Sequence, residues 1–205
     1  MPKLYFRYGA MNSGKTTALL QVAFNYKERG MRVLLLKPSI DTKGQGEVVS
    51  RLGVRRPVDV LVSPDMDVLD IVRRDMAEHG APACVLCDES QFFTPEQVDQ
   101  LFLVTVDLGI PVICYGLRAD FMTRGFPGST RLLELAHTIE EMKTICTCGR
   151  KAICNCRKVN GRFVFEGEQV AIDLENDVQY VSMCPQCYFK AKRAFYAEKA
   201  ASQAD

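Results

Sequence analysis

A chain of 205 residues, 47% of them hydrophobic, is long enough to bury the core of one domain and a small appendage. Its formal net charge of +1 gives no global electrostatic pull toward nucleic acid or anionic lipid. No apolar run approaches the roughly 18 residues of a membrane span, and a strand-like run starting at Leu4 leaves no room for a signal peptide, so a cytoplasmic location is expected.

Residues 4–8 are apolar and aromatic, of strand type. Next comes Gly9-Ala10-Met11-Asn12-Ser13-Gly14-Lys15-Thr16, which reads G-x-x-x-x-G-K-T, the phosphate-binding loop. A helical pattern starts at Thr17 and is expected to run to about Arg29, with Gly30 as its stop. Strand, loop and helix are the context this motif needs. The loop N–H groups and the helix N-terminus would face a polyphosphate, with Lys15 on the β and γ phosphates and Thr16 on Mg²⁺. A chance Gly-rich turn is the bland alternative, and the correct flanks argue against it. The stretch 31–36 is a second buried strand. Residues 41–56 are polar and Gly-rich and carry Arg51, Arg55 and Arg56; they read as a surface loop, either near the site or merely mobile. A short strand is expected over 58–62, and the spacing of Met66, Leu69, Val72 and Met76 predicts a helix over 65–79.

The apolar run 83–87 predicts a strand that ends in Asp88-Glu89, the Walker B arrangement. Asp88 would sit in the Mg²⁺ shell and Glu89 would be a base. Thr94-Pro95-Glu96-Gln97 opens a helix, with Thr94 as N-cap, Pro95 at the first position and Gln97 closing a capping box. Residues 111–115 give a further strand. Strands alternating with helices imply a parallel sheet covered on both faces, with ligands beyond the carboxyl ends of its strands. The segments following three such ends, at Gly9, at Asp88 and at Gly116-Leu117-Arg118, should meet on one rim. Phe121 and Phe126 lie in a loop with Gly125, Pro127 and Gly128; they could stack on a base or plug the core.

Of nine cysteines, Cys84, Cys87 and Cys114 sit in apolar runs and read as buried small residues. The other six fall between 146 and 187, where a metal is the better reading in a reducing compartment. Cys146/Cys148 and Cys184/Cys187 are two close pairs that could supply the four soft ligands of a zinc tetrahedron, while Cys154/Cys156 is one pair too many. The 146/148/184/187 set is favoured. Residues 162–165 and 169–172 suggest a hairpin, and residues 188–203 a final helix rich in Ala and Lys. The fold class that follows is α/β: a P-loop NTPase (RecA-like) parallel sheet with helices on both faces over residues 1–141, and a small zinc-bearing lid over residues 142–205.

Five motifs in order, Tyr8 to Thr16, Cys87-Asp88-Glu89-Ser90-Gln91-Phe92-Phe93, Tyr115-Gly116-Leu117-Arg118-Ala119-Asp120-Phe121, Lys143-Thr144-Ile145-Cys146-Thr147-Cys148-Gly149 and Tyr180-Val181-Ser182-Met183-Cys184, make the chain resemble the zinc-containing thymidine kinases over nearly its whole length. The resemblance implies phosphoryl transfer from ATP to thymidine, or to deoxyuridine. It also implies Mg²⁺, a structural Zn²⁺, feedback inhibition by dTTP, and a homotetramer with neither membrane nor nucleic-acid partner. Glu89 matches the catalytic base; Asp88, Glu89, Ser90 and Gln91 go with the phosphate loop in binding ATP and Mg²⁺. Met11 looks like the residue under the thymine ring; Leu117, Phe121, Phe126 and Tyr180 look like nucleoside-pocket residues. Arg157 matches an arginine of the loop that closes over the nucleoside, and Asp41 a loop acid near the site. Two departures stand out. Lys43 replaces an arginine, losing a bidentate fork, and residues 173–179 lack the Gly-Gly usual in the closing loop.

Two rival classes remain in view. One is an ATP-driven motor or switch, with Glu89 activating water. The other is a nucleic-acid module on a zinc ribbon, for which Lys190, Lys192 and Arg193 on the last helix would serve; such a run is usually a solvated face. A GTP switch is disfavoured, since no N-K-x-D guanine motif is present.

Overall fold

The computed structural model describes residues 1–40, 46–169 and 177–202. Alternation along the first strands sets the architecture. Leu34 and Leu36 point into one apolar cluster while Val33 and Leu35 point into another, and Val85/Cys87 and Cys84/Leu86 repeat the pattern. A strand buried on both faces belongs inside a parallel sheet covered on both sides.

That sheet has six strands: β1 (Leu4–Tyr8), β2 (Val33–Pro38), β5 (Val60–Val62), β6 (Cys84–Cys87), β7 (Val112–Gly116) and β8 (Thr138–Glu141). They run all parallel in the order β5-β2-β6-β7-β1-β8. Between β2 and β5 lies the small antiparallel pair β3 (Glu47–Val49) and β4 (Arg55–Pro57). The helix α1 (Lys15–Glu28) packs Leu19, Leu20 and Ala23 on one face. The helices α2 (Val68–His79), α3 (Pro95–Asp107) and α4 (Pro127–Leu135) pack Val68, Leu69, Val72, Val98, Leu101, Val104 and Leu132 on the other. The expected capping box forms in full: Thr94 Oγ1 accepts from Gln97 N and Gln97 Oε1 accepts from Thr94 N. Because β6, β7 and β1 are neighbours, with Tyr8 opposite Gly116 and Cys87 opposite Cys114, their carboxyl ends lie side by side.

These elements form the first of two compact units, Met1–Tyr8, Gly14–Arg118 and Phe126–Met142. The second gathers Gly9–Ser13, Ala119–Gly125 and Lys143–Asp205. It contains the two-residue pair β9 (Thr144–Ile145) and β10 (Lys151–Ala152), then β11 (Cys154–Val159), β12 (Arg162–Val164) and β13 (Val178–Met183), and the helix α5 (Pro185–Ser202). The three longer strands form an antiparallel sheet in the order β12-β11-β13. Residues 162–164 pair with β11 across a tight turn at Asn160 and Gly161, both at positive φ. Of the hairpin expected between 162–165 and 169–172, residues 170–172 lie outside the described residues. No described helix is long and apolar enough to cross a membrane.

Candidate functional site

In the first unit the site starts from an uncapped helix. The helices α2 and α3 have side-chain caps, from Asp67 and Thr94; α1 has none, and no acidic residue in its first turn. Its N-cap is Gly14, at φ 79°, and Lys15 and Thr16 are its first residues. A helix N-terminus with no side-chain cap and no carboxylate in its first turn is suited to an external anion. Burial lowers the Lys15 pKa, while the carboxylates of Glu89 and Asp88 work against that and Arg51 adds to it. Lys15 therefore shares its surroundings with both acids that close β6.

Asp88 is buried where β6 ends. Glu89 adopts φ 47°, a left-handed conformation that costs a non-glycine residue of order 1 kcal/mol. It opens the single 3₁₀ turn Ser90–Phe92. Gln91, 1% exposed, donates from Nε2 to Glu89 Oε2 at 2.6 Å and accepts at Oε1 from Leu117 N at 2.9 Å. The backbone after β7 thus fixes the amide that aims the Glu89 carboxylate. Ser90 Oγ is buried, with no hydrogen-bond partner among the described residues. Space here is tight. A Cβ on Gly116 would come within 2.6 Å of Ser90 Oγ, and one on Gly128 within 2.4 Å of Phe93 O. Leu117 is buried, and Phe126 precedes α4 with its ring edge-on to Phe92 at 5.6 Å.

In the second unit, two cross-strand pairs on one face of the β11/β13 ladder carry the polar groups: Asn155 opposite Ser182, and Arg157 opposite Tyr180. Asn155 Oδ1 accepts from Met11 N at 2.8 Å, and Ser182 Oγ donates to Met11 O. The Met11 N–H is therefore turned to the protein, so Met11 offers a phosphate or a base its side chain and not its amide. Gly9, Ala10, Asn12 and Ser13 lie in the same loop; Asn12 is left-handed at φ 66°, and Ser13 N donates to Ala10 O at 3.3 Å. Arg157 is buried over the Phe121 ring, its guanidinium carbon 3.6 Å from the centroid. Its Nε donates to Tyr180 Oη at 3.0 Å, and one terminal nitrogen donates to Glu168 O and Gln169 O. Arg157 thus braces Phe121, Tyr180 and the chain just before residue 170. Asp120 completes the Phe121 loop, with Oδ1 accepting from Met122 N and Arg124 N and Oδ2 from Gln169 Nε2. Asp41 and Lys43 lie outside the described residues.

The Sγ atoms of Cys146, Cys148, Cys184 and Cys187 all lie within 4.8 Å of one another. Cys148 and Cys184 are 3.6 Å apart, close to the edge of about 3.8 Å in a tetrahedron of Zn–S bonds of about 2.3 Å. Backbone N–H groups of Cys148 and Cys184 bring the Cys146 thiol down to about 6. The crowd of sulfurs, Cys184 first, pushes Cys187 up to about 12. Cys154 and Cys156 point to the opposite face of β11 from Asn155 and Arg157, into an apolar cluster with Phe165 and Tyr188, and burial pushes the Cys156 thiol up to about 12.

Asn155, Ser182, Asp120, Gln169 and Gly128 carry no motif of their own and were not anticipated from the sequence. Ser182 and Asp120 had an available signal, their places in the Tyr180 to Cys184 and Tyr115 to Phe121 motifs.

Comparison with known proteins gives the family. The family model described as thymidine kinase matches residues 2–188. The thymidine kinase of Ruegeria pomeroyi is 47% identical over 186 residues, 90% of this chain and 92% of that one. Those of Chromobacterium violaceum and Yersinia pseudotuberculosis are 46% and 47% identical, covering 92% and 95% of this chain and 98% of each relative. Among solved structures, the replication initiator DnaA bound to AMPPCP and single-stranded DNA shows a TM-score of 0.38 at 16% identity over 70% of this chain and 41% of that one, a likeness too slight to bear on function. With a family model spanning nearly all of the chain and relatives close to half identical over nine-tenths of it, the chain belongs to the thymidine kinase family.

Proposed function

We propose that this chain transfers the γ-phosphoryl group of ATP to the 5′-hydroxyl of thymidine, with deoxyuridine as a second substrate, dTTP as feedback inhibitor and a homotetramer as the working form. The observation that carries the chemistry is the aimed carboxylate of Glu89, fixed by Gln91 through Leu117 at the end of β6. A base must be held within reach of the proton it takes, and this one is held from behind by an amide. Glu89 accepts the hydroxyl proton as the nucleophile attacks.

The transition state of phosphoryl transfer is loose, so the protein's task is positioning and charge neutralisation. The loop Gly9 to Thr16 and the uncapped start of α1 hold the phosphates, and Lys15 places its charge on them. Thr16 and Asp88 are the residues that would hold Mg²⁺; the buried carboxylate of Asp88 at a strand end suits a hard cation. Mg²⁺, when bound, offsets charge on the β and γ phosphates. Met11, Leu117, Phe121, Phe126, Tyr180 and the Asp41 loop serve the nucleoside. Arg157 serves it by bracing Phe121 and Tyr180. Cys146, Cys148, Cys184 and Cys187 would hold zinc, which supplies structure and no chemistry, since four thiolates leave no open position.

The test is turnover. ATP consumption that depends on free thymidine and yields dTMP is expected, and DNA or RNA should not stimulate it. Thymidine-independent ATP hydrolysis stimulated by a nucleic acid would instead favour a motor or a zinc-ribbon module.

A further inference from the structure

The phosphate loop is gripped at its middle by side chains from far along the chain. The amide of Asn155, 5% exposed, fixes the peptide plane before Met11, since its Oδ1 accepts from Met11 N at 2.8 Å. The hydroxyl of Ser182, 6% exposed, fixes the plane after it by donating to Met11 O. Thr144 Oγ1 adds a longer bond of 3.4 Å to Asn12 O, the next carbonyl, at the residue whose backbone is left-handed. Two successive peptide planes are thus pinned, together with one strained residue.

The other half of the Asn155 amide points elsewhere. Its Nδ2 donates to Ala119 O at 2.9 Å. Ala119 pairs with Gly125 to close the loop that carries Phe121, and the Phe121 carbonyl accepts from Tyr188 Oη at 2.7 Å. One side chain therefore bridges the phosphate loop and the Phe121 loop. A side-chain amide offers an acceptor to Met11 N–H and a donor to Ala119 C=O from the same planar group.

We propose that Asn155, assisted by Ser182, is a positioning residue for the phosphoryl transfer assigned above, and the inference rests on that assignment. It holds the Met11 peptide so that the neighbouring loop groups stay directed at the nucleotide phosphates, and it ties that geometry to the Phe121 loop. The Asn155 amide ends on Met11 and Ala119. Its effect is on where the reacting groups are held, and a misplacement of about 1 Å can cost on the order of 10²-fold in rate. The cross-strand pairing of Asn155 with Ser182 explains why the two act together: both project from one face of the ladder and both end on Met11.

The test compares Asn155→Leu, which keeps the branching at Cγ and removes both bonds, with Ser182→Ala and the double variant. Steady-state kinetics is run with ATP and thymidine each varied, beside zinc content and thermal melting. Asn155→Leu should lower kcat about tenfold and raise the KM for ATP several-fold, with one zinc per chain retained. Ser182→Ala should move both in the same direction by less. Because both side chains hold one residue, the double variant should lose clearly less than the product of the two single losses. The proposal is overturned if Ser182→Ala and Asn155→Leu keep kcat and both KM values within about twofold of the parent. It is equally overturned if lost activity tracks lost zinc or lost folded fraction at unchanged KM, which would leave the pair a purely structural role. Should Asn155→Leu fail to fold, Ser182→Ala still decides. Thymidine-dependent turnover by the unmodified chain is a separate measurement, so failure of the kinase assignment is distinguishable from failure of this inference.

Discussion

Glu89 and Gly128 show how much of the site depends on single atoms. Glu89 sits in a left-handed conformation, and its carboxylate is held 2.6 Å from Gln91 Nε2. Glu89→Gln keeps the shape and removes the base, so kcat should fall by on the order of 10² while nucleotide affinity changes little. Stopped assays with thymidine, beside binding of an ATP analogue, check this; a near-normal kcat removes Glu89 from the role. Gly128 is a case where propensity and packing pull in opposite directions. It lies in the first turn of α4, where alanine would favour the helix by up to about 1 kcal/mol. Yet a Cβ there would lie 2.4 Å from Phe93 O and 3.0 Å from Gln91 O and Ser90 O, all backbone atoms of the Glu89 turn region. Backbone cannot swing aside as a side chain can, so Gly128→Ala should lower both the melting temperature and kcat, the latter by about tenfold because Gln91 moves. A higher melting temperature with unchanged kcat would show that helix propensity wins.

Among the elements, those whose neighbours lie in the adjoining sequence were legible. The strands β2, β6 and β7 are apolar runs with a parallel sheet's two-sided burial, and the phosphate loop and the Thr94 capping box are local by nature. The edge strand β8, sequence Thr-Ile-Glu-Glu and partly exposed, has no such pattern, and β11 was hidden because its sequence Cys-Asn-Cys-Arg-Lys-Val alternates thiols with polar groups whose partners are distant. The Asn160-Gly161 pair was the missed signal; it is a strong mark of a two-residue hairpin, and it would have joined 154–159 to 162–164. The functional face of β11 could not be read locally at all, since Asn155 and Arg157 are defined by Met11, Ala119, Phe121 and Tyr180. Its other face yields a prediction. Cys154→Ala with Cys156→Ala should keep one zinc per chain and most activity, at a modest loss of stability from the small cavities left. Alanine is the better probe than serine here, because a hydroxyl in that apolar cluster would add its own burial cost. Cys146→Ser or Cys184→Ser should lose the metal. Atomic emission on the purified variants decides, and metal loss in the 154/156 double variant would reassign the ligands.

At the scale of the whole molecule, two ligands should reveal how its functions are distributed. The first is dTTP, which carries the base of one substrate and the triphosphate of the other; it should inhibit competitively against thymidine, and a purely noncompetitive pattern would point to a separate effector site. The second is the metal. The first unit has two apolar clusters, one on each face of a six-stranded sheet. Among the described residues the second unit has one, and four of its eight buried members are cysteines, two of them from the thiol group that could hold a metal. A core of that size is rarely enough by itself, and small units of this kind draw folding energy from a structural ion. Metal removal should therefore act unevenly. Treatment with a strong chelator should abolish hydrogen-exchange protection in β11, β13 and α5 while β1, β2, β6 and β7 keep theirs. Activity should vanish along with the first set, because Met11 depends on Asn155 and Ser182 for its backbone geometry. Restoring one equivalent of zinc should return protection and turnover together. Protection lost in both sets at once would mean that the two cores fold as one cooperative whole. Protection retained in β11 and β13 without metal would mean that the apolar contacts of Tyr188, Phe165 and Met183 suffice without the tetrahedron.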